Sequence, residues 1–354
     1  MEPLCKKDDG ELVKVLMIAV HCCIRVIKES RALKKLGYKL DLLTNRISYG
    51  TDEFERIFFY HDKQQLMNIL KDEKIREQYQ IFHVHNEPDW PVVAAHEAGC
   101  KNIIFDCHDL DSVRIRNANL DEIRTMRLAS GIVFVSEPVQ KFAKELYDFK
   151  QPSVVLHHFC NEGIVEYTPE DDLVRKGIVY EGGANPPNTP TMFKYRSLHP
   201  IMKKIVEMGN ELYMFIGNGD GFETYQDIGA VVYPPTHYDE MMKEMVKMKW
   251  GACMFNNEDL TEPQTNLTTM NKAYEYIAAG LPVLFLGAPH QAELFKPYNI
   301  SIELKKIEDL GNVEQNFGHL YPELKSNVDK MRKELVMENN IHIVEELYNA
   351  VRCS

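Results

Sequence analysis

No stretch of this 354-residue sequence is apolar for long enough to span a bilayer. The first residues, MEPLCKKDDGELVKV, lack the apolar core of a signal peptide. Eight cysteines are present and none is spaced C-x-x-C, so reduced thiols in a cytoplasmic setting are the simple reading. Without an export signal, the sequons Asn266-Leu267-Thr268 and Asn299-Ile300-Ser301 carry no weight. Excess positive charge is also missing: 41 Lys+Arg against 53 Asp+Glu leave a net charge of −12. Such a surface has no broad attraction for nucleic acid or anionic lipid. A local exception is the basic run Arg25, Lys28, Arg31, Lys34 and Lys35, which leaves weak peripheral contact at the inner face of a membrane open.

What is present is alternation. KVLMIAV (14–20) is an apolar run of strand length, and Val26, Ile27, Ser30, Leu33 and Leu36 recur at helical spacing before Gly37. KLDLLT then resumes strand character, which makes a βαβ unit and implies a parallel sheet with a right-handed crossover. The pattern predicts strands at 80–86, 102–109, 131–136 and 153–159, with helices at 92–99, 121–130 and 137–147, the last with Pro138 in its first turn. An acidic, polar connection follows, and the alternation restarts at GIVYEGG with strands and helices through LPVLFLG. The length suits two domains. The expected division is 1–160, a linker at 161–172, a second domain at 173–322, and a helical segment at 323–354. The fold class expected is α/β, with two facing Rossmann-like doubly wound domains and a C-terminal helix crossing back to the first. In such sheets ligands bind at the carboxyl ends of the strands, so the cleft between the halves is the expected site.

The stretch NKAYEYIAAGLPVLF (271–285) places Glu275 on a helix whose neighbours Ala273, Tyr274, Tyr276, Ile277, Ala278 and Ala279 leave little polar face. A carboxylate there needs a reason. This stretch is similar to the donor-site helix and strand of family 4 glycosyltransferases with the GT-B fold. IRVIKESRALKKLGYKLDLLT (24–44), HVHNEPDWP (83–91), IIFDCHD (103–109) and IVFVSEPVQKFAKELY (132–147) resemble other parts of that family, in the same order.

The resemblance implies that Glu275 accepts hydrogen bonds from the ribose hydroxyls of a sugar nucleotide, where a vicinal diol offers two donors to an acceptor-only group. Thr268, Thr269, Met270 and Asn271 match the turn before that helix and imply backbone N–H donation to phosphate; helix capping by a threonine is the plainer role. Gly182 and Gly183 end a strand and permit close approach of the chain to a ligand. Lys194 and Arg196 stand where the family places its phosphate-binding cations, with Arg196 favoured for its forked geometry. Gly217 and Gly219 resemble a second glycine turn, and Tyr233-Pro234 the segment that contacts the base. His108 matches a histidine near the donor sugar and the reacting centre. Asn86, Glu87 and Arg25 fall on the acceptor side. Two departures stand out. Leu267 replaces a second glutamate that touches the donor sugar, and His21-Cys22-Cys23 replaces a glycine pair.

The activity implied is transfer of a sugar from a nucleoside-diphosphate donor, UDP- or GDP-linked, to the hydroxyl of a glycan, lipid-linked or protein acceptor. Retention at the anomeric carbon is implied, with no metal and no cofactor. Alternatives are a non-catalytic nucleotide-sugar-binding partner, a sugar-nucleotide 2-epimerase, and a metal hydrolase built on His83, His85, His108 and Asp109. Asp109-Leu110-Asp111 spells the Asp-x-Asp of a different, metal-dependent fold, which the two-half pattern argues against. His83 and His85 share one strand face, where core packing or hydrogen bonding is the leading reading.

Overall fold

A computed structural model describes residues 13–85, 88–167, 175–187, 193–217 and 221–353. By contact they form two units, one running to His158 and resuming at Met337, the other Phe159–Val336. The first holds β1 (Lys14–Cys22), β2 (Lys39–Ile47), β3 (Ile57–Phe59), β4 (Ile81–His85), β5 (Ile103–Cys107), β6 (Gly131–Phe134) and β7 (Ser153–Val155). They make one parallel sheet in the order β3-β2-β1-β4-β5-β6-β7. Strands buried on both faces read as continuous apolar runs, and Val15 through Ala19 are indeed wholly buried. The helix after β1, Ile24–Lys35, ends where Gly37 takes a left-handed φ of 90°. The helix Glu137–Tyr147 begins at Ser136, whose Oγ accepts the Val139 N–H at 3.3 Å.

The second unit holds β8 (Lys176–Glu181), β9 (Leu212–Phe215), β10 (Val231–Tyr233), β11 (Met248–Met254), β12 (Val283–Leu286) and β13 (Ser301–Leu304). Its parallel order is β10-β9-β8-β11-β12-β13. The chain moves outward from β8 to β10, then returns to β11 on the other flank of β8. That reversal makes the β8/β11 boundary the switch point of this sheet; β1/β4 is its counterpart in the first. Both sheets are doubly wound and Rossmann-like, as the alternation in the sequence implies.

The helical stretch expected over 323–352 is three helices: Tyr321–Met331 in the second unit, then Met337–Asn340 and His342–Arg352 in the first. The last packs on β6 and β7, so the chain does return to its starting unit. A side chain at Gly131 would meet Leu347 Cδ1 at 2.9 Å. The edge strands β3 and β13 escape the sequence pattern, because three or four residues are too few to show a period. Among the described residues no helix is long and apolar enough to cross a membrane. The basic residues of the first helix are engaged within the unit. Arg25 and Lys28 are buried, Arg31 and Lys34 pair with Glu53 at 2.7 and 3.0 Å, and Lys35 pairs with Glu338 at 3.2 Å.

The helix Asn271–Ala278 lies close on β11 because Gly251 has no side chain. A Cβ there would fall 2.2 Å from Tyr276 Cγ. Gly251→Ala is therefore expected to destabilise the protein by about 1–3 kcal/mol through overpacking, read as a lowered urea midpoint at unchanged slope; an unchanged midpoint would show that the helix can lift off at no cost.

Candidate functional site

In the second unit the chemistry gathers at the carboxyl edge of β8 and β11. Gly182, at φ 115°, and Gly183 follow β8 directly. Tyr180 Oη donates to Gly183 O at 2.7 Å and accepts from Lys272 Nζ at 3.0 Å, which ties the glycine turn to the helix Asn271–Ala278. Tyr276 Oη accepts the Glu181 N–H at 2.9 Å and donates to Ala252 O at 3.2 Å. One phenol thus bridges β8 and β11 at the switch point and fixes the helix to both.

Glu275, one residue before that anchor, is 2% exposed. Its charge helps burial raise the Tyr238 phenol. Thr268 and Thr269 are buried ahead of the helix. The Met270 N–H donates to Gln291 Oε1 at 3.0 Å and Met270 O accepts from Gln291 Nε2 at 3.2 Å, so a wholly buried glutamine holds the turn. Asn271 Oδ1 is buried and makes no hydrogen bond within the described residues.

Lys194 and Arg196 lie exposed in the short turn Lys194–Arg196. Arg196 is nearer the glycine pair, with Nη1 3.8 Å from where a Gly183 Cβ would sit, and its guanidinium covers the rings of Phe193 and Tyr195 at 5.3 and 5.6 Å. Gly217, beyond β9, faces open space, whereas Gly219 lies outside the described residues. Tyr233 ends β10 with its ring stacked on Phe215, centroids 4.3 Å apart. Leu267 closes the short helix Pro263–Leu267 and brings no carboxylate.

The first unit has its own polar cluster at its switch point. Arg25 is buried, its Nε 3.2 Å from both oxygens of Asp106 and 2.9 Å from Glu29 Oε1, and its Nη1 donates to His157 O at 3.2 Å. The Glu29 contact is an ion-pair approach without hydrogen-bond alignment. Around Asp106 stand His83 Nε2 at 3.8 Å, His85 Nδ1 at 3.6 Å and His108 Nε2 at 3.6 Å. His83 and His85 stack at 4.1 Å, and His83 Nδ1 is 2.6 Å from Tyr348 Oη of the C-terminal helix. His108 is the most open of the three at 9% exposed, 3.9 Å from Cys23 Sγ. Asn86 and Glu87 lie outside the described residues.

Burial works against a charge on Asp106, but Arg25, His108, His85 and Glu29 together outweigh it and hold the carboxyl well below the usual range. Burial, with Asp106 adjoining, pushes Glu29 well above its ordinary value. Burial likewise lowers His83 to about 4 and His108 to about 3, and pulls His85 and His158 well down. The cluster therefore favours the Arg25–Asp106 pair as its charged core and disfavours charge on Glu29 and the imidazoles. Glu29, His83, His85 and Asp106 bring ligand-type atoms within 4.8 Å of one another, the spacing of a metal site; Arg25 already approaches both carboxylates.

The sequence reading passed over Asp106, Glu29, Lys272, Tyr276 and Gln291. The signal for the first three was there: a charge inside an apolar strand or on the buried stripe of a helix.

Residues 25–162 match the profile of Glycosyltransferase Family 4. No curated protein matches the sequence. Among solved structures, the chain resembles the sucrose-phosphate synthase of Thermosynechococcus elongatus at TM-score 0.68 and 12% identity, covering 95% of this chain and 98% of that one. HepE of Anabaena, solved in complex with UDP, aligns at TM-score 0.66 and 11% identity over 95% and 99%. A putative UDP-N-acetylglucosamine 2-epimerase of Listeria monocytogenes aligns at TM-score 0.57 and 12% identity over 94% of each. These likenesses give the fold: two Rossmann-like domains of the GT-B type.

The buried histidines set an acid limit. Each has a folded pKa below its unfolded value, so the unfolded chain binds more protons and stability falls as pH drops from about 6.5 through the folded values. Glu29, shifted the other way, opposes one histidine above its unfolded pKa. Between pH 6.5 and 4, stability should fall by about 1.4 kcal/mol per pH unit for each uncancelled histidine. His83→Gln should flatten that slope in urea titrations across the window; an equal slope would mean that His83 is solvated in the folded state.

Proposed function

We propose that this protein, whose residues 25–162 match Glycosyltransferase Family 4 and whose fold is of the GT-B type, is a glycosyltransferase that binds a nucleoside-diphosphate sugar on its second unit and passes the sugar to an acceptor hydroxyl. The observation that carries the reading is Glu275, buried beside the β8/β11 switch point on a helix clamped by Tyr276. A carboxylate is an acceptor-only group, which suits the donors of a ribose diol. Gly182 and Gly183 let backbone approach the diphosphate, Arg196 or Lys194 answers its charge, and the segment around Tyr233 takes the base. Thr268, Thr269, Met270 and Asn271 form the turn at the helix N-terminus, where the dipole favours an anion. That HepE was solved with UDP supports the donor class.

The transfer is metal-independent and retaining in this reading. Fixed cations and amides stabilise the departing diphosphate, which leaves no charge that a metal must neutralise. The first unit supplies the acceptor side. His108, neutral because buried, can donate to a sugar hydroxyl, while Arg25 is held by Asp106 and serves by keeping that side of the unit rigid. With Leu267 in place of a carboxylate, the donor sugar is held by other groups. The acceptor is a glycan, lipid-linked sugar or protein, made on the cytoplasmic side.

Titration calorimetry with UDP- and GDP-sugars tests the reading. Glu275→Gln should weaken donor binding about 10- to 100-fold, the loss of one charge-assisted contact; equal affinities would remove its basis. Product analysis separates the rivals: an epimerised sugar nucleotide marks a 2-epimerase, and tight binding without turnover on any acceptor marks a non-catalytic partner.

A further inference from the structure

We propose that Lys272, in the first turn of the helix Asn271–Ala278, is the fixed cation that grips the donor diphosphate. The proposal rests on the nucleotide-binding reading above and names a residue that the motif comparison passes over. Its position carries the argument. Lys272 Nζ lies over the ring of Tyr180 from β8, at 4.2 Å, and over the ring of Phe255 just after β11, at 4.9 Å. The ammonium thus straddles the two strands that flank the switch point, where doubly wound sheets bind ligands. It also sits 3.3 Å from where a Cβ on Gly182 would be. A side chain at 182 would crowd the ammonium, so the glycine keeps it within reach of a group lying over the turn.

A purely structural lysine fits this place poorly. Lys272 is only 9% exposed, and burial of an ammonium costs free energy that an aliphatic side chain of similar volume would not incur. Burial does disfavour its charge, yet the neighbouring Tyr180 hydroxyl and Glu181 carboxylate outweigh that and keep it protonated. An ammonium has three donors; Tyr180 Oη takes one at 3.0 Å, and the aromatic faces offer only diffuse attraction. Phosphate oxygens would complete the set. The buried Asn271 Oδ1 at the same helix end, which makes no hydrogen bond among the described residues, is a second polar group that points to a ligand there. Its amide can turn to present Nδ2 to an oxygen, and the helix start has no side-chain cap.

Lys194 and Arg196 contrast with this arrangement. Both are exposed on a short turn, and an exposed cation must be ordered when the ligand arrives. Lys272 is pre-ordered by the core, so its charge acts at little entropic cost.

The test uses the full chain and three probes, UDP, UMP and uridine, with GDP and guanosine in parallel. Lys272→Met keeps the volume and removes the charge; Lys272→Gln is a second variant should the first fold poorly, and Lys272→Arg retains charge. The expected result is a diphosphate affinity about 10- to 100-fold weaker in the neutral variants, unchanged nucleoside affinity, a shallower dependence of UDP binding on salt, and partial recovery in Lys272→Arg. Glu275→Gln should instead weaken all three probes alike. Equal losses for uridine and UDP in Lys272→Met would show a structural role and overturn the proposal. Unchanged UDP affinity would overturn it too, leaving the nucleotide reading intact if Glu275→Gln still weakens binding. If the wild-type protein binds neither diphosphate, both readings fall together.

Discussion

The second unit depends on one close approach. Tyr276 lies against Gly251, in a space that any side chain at 251 would fill, and its hydroxyl joins an N–H of β8 to a carbonyl of β11. Those two strands are neighbours in space and distant in sequence, so a single ring sets the register of the helix against both. Lys272 and Glu275 take their places from that register. Lys272 precedes the anchor by four residues and reaches the glycine turn after β8, while Glu275 precedes it by one. Rotation of the helix by one residue would move the carboxylate and the ammonium off the rim together.

The first unit solves a different problem. Arg25, Asp106 and Glu29 are buried in a sheet core with four histidines near them. Burying several like or unpaired charges is expensive, and the cluster limits it: Asp106 is held charged against Arg25, while burial works against charge on Glu29 and on the imidazoles. His83 extends this network to Tyr348, so the returning C-terminal helix is held by a polar contact as well as by apolar packing on β6 and β7. Where the second unit holds its ammonium at the rim of the sheet, the first encloses its charges, and only His108 among these histidines approaches the surface from a strand end.

The central strands were legible because parallel strands covered on both faces must be apolar throughout, and the glycines that stop helices mark the crossovers. Short edge strands were not, since β3 and β13 owe their state to a neighbour's hydrogen bonds and not to their own pattern. The break of 323–352 into three helices shared between two units was equally hidden, because amphipathic spacing tells that a face is buried and not against what. Of the site, the motif around Glu275 and the glycine pair could be found by resemblance, and Arg196 was placed near the turn. Asp106 and Lys272 were passed over, as each sits in a run whose apolar neighbours dominate the reading.

By itself the sequence determined two rounds of β/α alternation, a net acidic chain, and a charged residue on an otherwise apolar helix, all of which are local properties of spacing and composition. Tertiary structure alone decided that Gly251 makes room for Tyr276, that Lys272 reaches the turn at Gly182, and that Arg25 finds Asp106. Each of these joins residues that are 25 or more positions apart, and such a contact depends on which strands lie side by side, which no local pattern encodes.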